Sequence, residues 1–345
     1  MAAPVRTLTL LHLNRALLAR QLLLDRAETT VEAAVEQVGG LQTQYAPSGY
    51  VGLWTRVAGF GRDDLTAALE RRSIVQATLL RATIHMVSAH EFWRFALGIR
   101  RARRAWNLRV RPDADEATML READLLRAAL ADGPRTVKEL EGLADGFLGH
   151  LGVWVDLVRV PPSGTWERRR ADRLALADAW LGPEDATEPE GVAHLVGAYL
   201  RAFGPAPWTD ISTWAGVPAA DLRRAGEDAL TLVRFRDEAG RELLDLADAP
   251  LPDPDTPAPV RFLPHWDASL LVHARRTGVL PEPHRPRVFS SRNPFSVGVY
   301  LVGGRAAGAW SVRDGRVVTD PFEDLGARDR DAVEAERAAV EAFHA

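Results

Sequence analysis

The 345-residue sequence predicts an α+β fold, mainly α, of three tandem winged-helix (helix-turn-helix plus β-hairpin) units and a β-rich C-terminal subdomain. Three observations carry this expectation. Helix-period stretches are followed more than once by short β-branched pairs. The clearest case runs from Pro207 through a Gly216 turn into Ala219 to Ala229, followed by two strand-like runs around Glu238-Ala239-Gly240. Beyond the Pro-rich stretch Ala249 to Pro259, the pattern turns to β. The expected boundaries are 1–112, 113–185 and 186–250 for the three units and 251–345 for the last subdomain. A chain of this length exceeds one ordinary core, so several packed subdomains are expected.

Apolar residues at helical spacing predict a first helix over Leu8 to Arg26, and the capping signal at Thr29-Thr30-Val31-Glu32 opens a second that reaches Val38. Leu41 to Gly49 reads as a turn or short helix start before the amphipathic stretch Tyr50 to Val57. A helix over Arg62 to Arg72 precedes paired strands at Ile74 to Leu80 and Thr83 to Val87, and another helix starts at His90. In the second unit, helices are expected from Glu116 to Ala131, from Thr136 and from Leu148, with strands at Leu157 to Val160 and Thr165 to Arg168. The third unit ends in strands at Leu230 to Phe235 and Glu242 to Leu246. Strands at Arg287 to Ser291, Ser296 to Val302 and Ala306 to Arg313 and a short acidic helix from Asp329 complete the chain.

A 46% hydrophobic, 26% charged composition is that of a soluble globular protein, with neither a signal-type segment nor a membrane span in its pattern. Zero cysteines exclude disulfides, thiol catalysis and cysteine-ligated metal, and fit a reducing compartment. The net charge of −4 is unevenly spread. Seven arginines and no acid lie between Arg94 and Arg111, which predicts a cationic face. Of the 43 basic residues only Lys138 is lysine. His265 with Asp267, or His85 with His90 and Glu91, falls short of a three-ligand set, so neither a metal nor another cofactor is expected.

Several short motifs share one pattern. Leu13-Asn14-Arg15-Ala16-Leu17-Leu18-Ala19-Arg20-Gln21, Gly40-Leu41-Gln42-Thr43-Gln44 and Arg81-Ala82-Thr83-Ile84-His85 come first in the chain. Val160-Pro161-Pro162-Ser163-Gly164-Thr165-Trp166, the third helix-turn-helix, Phe262-Leu263-Pro264-His265-Trp266-Asp267 and Gly304-Arg305-Ala306-Ala307-Gly308-Ala309-Trp310 follow. In this order they resemble the AlkZ/YcaQ family of winged-helix DNA glycosylases over nearly the whole chain. The resemblance implies a concave surface for double-stranded DNA and a catalytic Gln-x-Gln pair, here Gln42 and Gln44, as in members able to unhook interstrand cross-links. The family's middle residue is usually aliphatic, and Thr43 departs from that. A cytoplasmic, nucleoid-associated monomer without membrane contact is the accompanying expectation.

The chemistry implied is hydrolysis of an N-glycosidic bond through an oxocarbenium-like sugar. An amide is no base near neutral pH, but its oxygen accepts from a water and presents a negative dipole to the cation. That suffices for a leaving group that is already cationic, such as an N7-alkylated purine, which departs neutral without a general acid. Scarcity of lysine disfavours a Schiff-base mechanism, so a monofunctional enzyme is expected.

Each feature also has a plainer reading. On sequence alone Gln-x-Gln in a turn is usually a polar turn, and Trp54 at helical spacing from Tyr50 is usually core. His85 in an alternating strand is ordinarily structural; the resemblance raises it to a site candidate. Tyr45 ranks first for stacking, and Arg81, in period with His85, suits a phosphate. Arg100, Arg101, Arg103 and Arg104, and Trp166 with Arg168, Arg169 and Arg170 at a wing, are the other candidate DNA contacts. The competing function is a winged-helix transcription regulator without catalysis, whose reading helix would be Ala219 to Ala229; its acidic Asp221, Glu227 and Asp228 make a poor base-reading face. A relative that kept the fold and lost catalysis is a further alternative.

Overall fold

The structure, a computed structural model, describes residues 5–113, 115–142, 152–270, 274, 276–289 and 297–345. Thirteen helices are assigned among them: α1 Leu10–Arg20, α2 Val31–Gln37, α3 Pro47–Trp54, α4 Arg62–Glu70, α5 Ala89–Val110, α6 Glu116–Leu130, α7 Val137–Leu140, α8 Ala177–Leu181, α9 Glu188–Phe203, α10 Trp208–Ala215, α11 Ala219–Ala229, α12 Arg285–Val288 and α13 Ala327–His344. The strands are β1 Thr7–Leu8, β2 Leu41–Gln42, β3 Ile74–Thr78, β4 Ile84–Ser88, β5 Arg135–Thr136, β6 Leu157–Arg159, β7 Arg173–Leu176, β8 Leu232–Asp237, β9 Glu242–Leu246, β10 Arg261–Leu263, β11 Gly298–Val302, β12 Arg305–Arg313 and β13 Arg316–Pro321. The protein is thus α+β, with more helix than strand.

Local signals form most helices as expected. Thr9, Thr30, Ser88, Asp115, Thr136 and Thr187 each accept a backbone N–H from the first turn of the helix they open. The helix-turn-helix of α10 and α11 runs into the β8–β9 hairpin, the order of a winged helix, and β1 adds to that hairpin in parallel. Strands β10 to β13 form an antiparallel sheet in sequence order.

Several expectations change. The first helix stops at Arg20, because Leu22 takes a left-handed backbone at φ 54°. Gln42 lies on a strand paired to β4, where a turn was expected, and α3 already begins at Pro47. The partner of β6 is β7, while Thr165 to Arg168 is turn; Gly164 N–H donates to Arg168 O at 2.7 Å and closes it. Arg287 belongs to the short helix α12, and the rest of that expected strand reaches residues outside those described, as does the expected helix from Leu148. The C-terminal helix is long, with 18 residues. The central helix α9 was not anticipated, nor were β10 and β13.

Tertiary pairing joins what local patterns separate. The hairpin β3–β4 and the strands of the second unit form one six-stranded sheet, ordered β2-β4-β3-β6-β7-β5. One apolar cluster runs from Leu17 on α1 through Phe95 on α5, Tyr199 on α9 and Trp214 on α10 to Leu263 and Val299 in the C-terminal sheet. Helices α5 and α9 cross at Gly98 and Gly191, where a Cβ on either residue would sit 2.5 Å from the other's backbone.

The polar residues of the first motif act as clamps between these parts. Asn14 Nδ2 donates to Gly278 O and Gly304 O at 2.9 and 2.8 Å. Arg20 forms two 2.7 Å bonds to Asp245, both side chains buried. Gln21 Nε2 donates to Ala202 O at 2.9 Å, and Arg56 pairs with Asp267 at 2.8 Å. A Cβ on Gly304 would strike Leu18, Asn14 and Arg15, so that glycine permits α1 to approach the β11–β12 turn.

Candidate active site

Gln42 sits on β2 directly opposite His85 of β4, and the same cross-strand row continues to Ala77 of β3 and Val158 of β6. Period-2 alternation puts Gln42 and His85 on one face and turns Thr43 inward. Gln42 is only 9% exposed, whereas Gln44, beyond the strand end, is exposed. Thr43 N–H donates to Ile84 O at 2.8 Å, and Gln44 Oε1 accepts from Ile84 N–H at 3.2 Å. The motif is thereby tied at both ends to the first residue of β4.

The loop between β3 and β4 supplies Arg81. Leu79 N–H donates to Thr83 O at 3.0 Å, and Arg81 and Ala82 both hold left-handed backbones at φ 51° and 57°. Two successive non-glycine residues there store about 1–3 kcal/mol each, a strain that surrounding contacts must hold. Arg81 Nη1 donates at 2.7 Å to Trp214 O in the last turn of α10, whose negative dipole end suits a cation. Its Nη2 donates to Gln42 Oε1 at 3.3 Å. Burial pulls this guanidinium down to about 10, so it remains charged at neutral pH.

His85 is 3% exposed, and burial beside Arg81 pushes its imidazole down to about 3. The ring is therefore neutral. Its Nδ1–H donates to Thr83 O at 3.1 Å, which leaves Nε2 as the acceptor nitrogen. Gln42, Gln44, Arg81 and His85, dispersed over more than forty positions in sequence, thus form one constellation around β2 and the start of β4.

Tyr45 opens a second cluster. Arg169 donates to its hydroxyl at 3.0 Å, and that guanidinium lies 5.9 Å from the Tyr45 ring and 5.8 Å from the Trp166 ring. Trp166 itself is buried among Tyr50, Phe343 and His344. Arg168, Arg169, Arg170 and Arg173 line a depression of about 360 Å³ with Thr136, Ser163 and Asp172. Arg170 pairs with Asp172 at 3.0 Å but stays largely exposed, and Arg168 is exposed.

The arginines of α5 differ from the sequence expectation of an acid-free cationic face. Arg100 meets Asp156 and Glu184 at 2.8 and 2.5 Å, and Arg101 meets Glu188 and Asp221 at 3.1 and 3.0 Å. Arg103 is half-buried and donates to Thr78 O at 2.9 Å, and Arg104 lies 5.0 Å from the Trp154 ring. Acids missing from the local sequence reach Arg100 and Arg101 through the fold, whereas Arg103 meets a backbone carbonyl and Arg104 an indole ring. Sequence reasoning also missed Trp214 as the partner of Arg81, because a backbone carbonyl leaves no residue-type signal. It missed Arg173, which only the β7 register brings to the arginine cluster.

Lys138 is exposed on α7, which continues directly from β5. That strand is the opposite edge of the sheet from β2, five strand spacings or about 24 Å away.

The family model described as DNA glycosylase AlkZ-like matches residues 35–343. The fold is similar to that of Streptomyces sahachiroi DNA glycosylase AlkZ, with a TM-score of 0.81 and 19% identity over 98% of this chain and 97% of that chain. No curated protein sequence matches. Fold and family together define an enzyme of DNA repair, a DNA glycosylase, in place of the non-catalytic regulator. In particular, the chain belongs to the AlkZ-like DNA glycosylase family.

Proposed function

We propose that the protein is a monofunctional glycosylase for cationic N7-alkylated purines in double-stranded DNA, extending to bulky adducts and the unhooking of interstrand cross-links, with Gln42 and Gln44 as its catalytic pair. The observation that carries this reading is a preorganised amide site: two glutamine oxygens fixed at one strand end, beside a neutral histidine and a tethered arginine. Gln42 Oε1 accepts one bond from Arg81, which holds its rotamer and leaves a lone pair for water. The Gln44 oxygen is held likewise by Ile84 N–H. As the glycosidic bond lengthens, the purine takes both bonding electrons and leaves neutral. Water held by the amides adds to the anomeric carbon, and its proton passes to solvent. The amide dipoles lower the energy of the sugar cation. Gln42, Gln44, Arg81 and His85 offer no acid that titrates near neutral pH, which matches a leaving group that already carries its charge.

The remoteness of Lys138 supports simple hydrolysis to an abasic site over amine attack. Arg168, Arg169, Arg170 and Arg173 suit phosphates of the same duplex, and a monomer acting in the cytoplasm is the simplest assembly. The test is single-turnover base release from a duplex carrying N7-methylguanine. Gln42→Ala and Gln44→Ala, each still binding DNA, are expected to release base at least about tenfold more slowly, about 1.4 kcal/mol of transition-state stabilisation. Unchanged rates in both variants would remove the pair from the chemistry.

A further inference from the structure

Arg81 is the only charged side chain in the constellation with Gln42, Gln44 and His85, and no carboxylate pairs with it among the described residues. Elsewhere the chain buries an arginine against an acid. Arg20 meets Asp245 at 2.7 Å, and Arg56 meets Asp267 at 2.8 Å. Arg81 instead uses only two of its five N–H groups, on Trp214 O and Gln42 Oε1, and the others have no acceptor among the described residues. The end of α10 offers it about half an elementary charge at most. The loop holds two left-handed residues, Arg81 and Ala82, in order to present this cation. Its charge is nevertheless at odds with the proposed chemistry. The N7-alkylated purine is itself a cation, the sugar becomes one as the base departs, and like charges shielded from water repel more strongly than in solution. A site that repels its own substrate is incomplete without an anion.

We propose that Arg81 binds a phosphodiester flanking the damaged nucleotide, so that the substrate's own backbone supplies the negative charge the site lacks. The inference rests on the alkylpurine reading above. The flanking phosphates are attached to the same sugar ring, so an anomeric carbon placed at Gln42 brings one of them to the guanidinium that touches Gln42 at 3.3 Å. A guanidinium fork matches phosphate oxygens two at a time. Reading of the lesion's own edge is the poorer use, because the fork takes guanine through O6 and N7 together and N7 is alkylated. The bonds to Trp214 and Gln42 stay in place while the unused N–H groups take the phosphate, which couples backbone binding to the orientation of the amide. Arg81 is then a specificity-determining residue. It admits a cationic purine as part of a DNA strand and disfavours the same purine in a free nucleoside, which brings no phosphate. Arg168 adds affinity by counterion release, whereas Arg81 acts on the chemical step.

The experiment is single-turnover base release, at saturating enzyme, from duplexes with one N7-methylguanine in which an uncharged methylphosphonate replaces a single phosphate. That phosphate is the one on either side of the lesion or one remote from it on the same strand. With wild type, neutralising one of the flanking phosphates is expected to slow release at least about tenfold, and neutralising the remote one less than about twofold. In Arg81→Met, slower from the outset, the flanking substitution is expected to change the rate less than about twofold, because the group that met the charge is gone. An arginine with a merely structural role leaves the two effects additive, and additivity overturns the assignment. So does a wild-type rate insensitive to both flanking substitutions, or equally sensitive to the remote one, a result that needs no folded variant and leaves the glycosylase reading intact. Absence of release by wild type from the unmodified backbone overturns the alkylpurine reading and the phosphate assignment together.

Discussion

At the residue scale the site is governed by what its side chains cannot do. Neither glutamine titrates, and His85 is neutral far below pH 7. The single-turnover rate is therefore expected to stay flat from about pH 5 to 8, and a bell-shaped profile would point to a titrating acid or base. The same histidine makes stability pH-dependent. Its folded value of about 3 lies below its ordinary 6.5, so the unfolded chain takes the proton first as pH falls. Its contribution to stability is complete above about 6.5 and is lost progressively towards pH 3. In urea titrations, His85→Asn is expected to shallow that acid limb by up to about 1.4 kcal/mol per pH unit. Thr43 illustrates a different economy. Its methyl lies beside Gly49, while its buried hydroxyl has no partner among the described residues. Thr43→Val is expected to raise stability by about 1 kcal/mol, measured by denaturant unfolding.

At the element scale two contacts set the frame around the amides. The α5–α9 crossing depends on Gly98 and Gly191, because the nearest atoms on each side are backbone, which cannot yield as a side chain can. Gly98→Ala is expected to cost about 3 kcal/mol and to lower the unfolding midpoint, whereas an alanine at the open Gly59 position tests only its left-handed backbone. Arg20 and Asp245 join α1 to β9 through a bidentate pair with almost no solvent contact. Asp245→Ala leaves the guanidinium buried and unpaired, with an expected loss of about 3–5 kcal/mol by the same measurement. Through such clamps Asn14, Arg20 and the C-cap residue Gln21 seat α1 against the C-terminal sheet, β9 and the end of α9.

At the scale of the whole molecule, charge divides into spent and free. Arginines of α5 answer acids from α8's flank, α9 and α11, while those around Arg168 remain exposed beside the second-unit sheet. Only free cations release counterions from DNA. Arg168→Ala is expected to lower the slope of log K against log salt by about one in a titration series. Arg101→Ala should leave that slope nearly unchanged and reduce stability slightly, its pairs being partly exposed. Equal slopes for Arg101→Ala and Arg168→Ala would return α5 to the DNA face.

Local patterns in the sequence were enough for most of the helix starts, the third helix-turn-helix and the β3–β4 pairing, and the family resemblance singled out Gln42 and Gln44 as candidates. These rest on interactions within a few residues, such as caps, turns and periodicity, or on motifs that keep their order. The tertiary structure alone decided that Gln42 stands on a strand, that two hairpins merge into one sheet, and that Arg81 reaches Trp214 across more than a hundred residues. It also decided which arginines are already paired. A two-residue strand has no periodicity of its own, and an ion pair between distant elements leaves no trace in either local sequence; both exist only once long-range packing has brought the partners together.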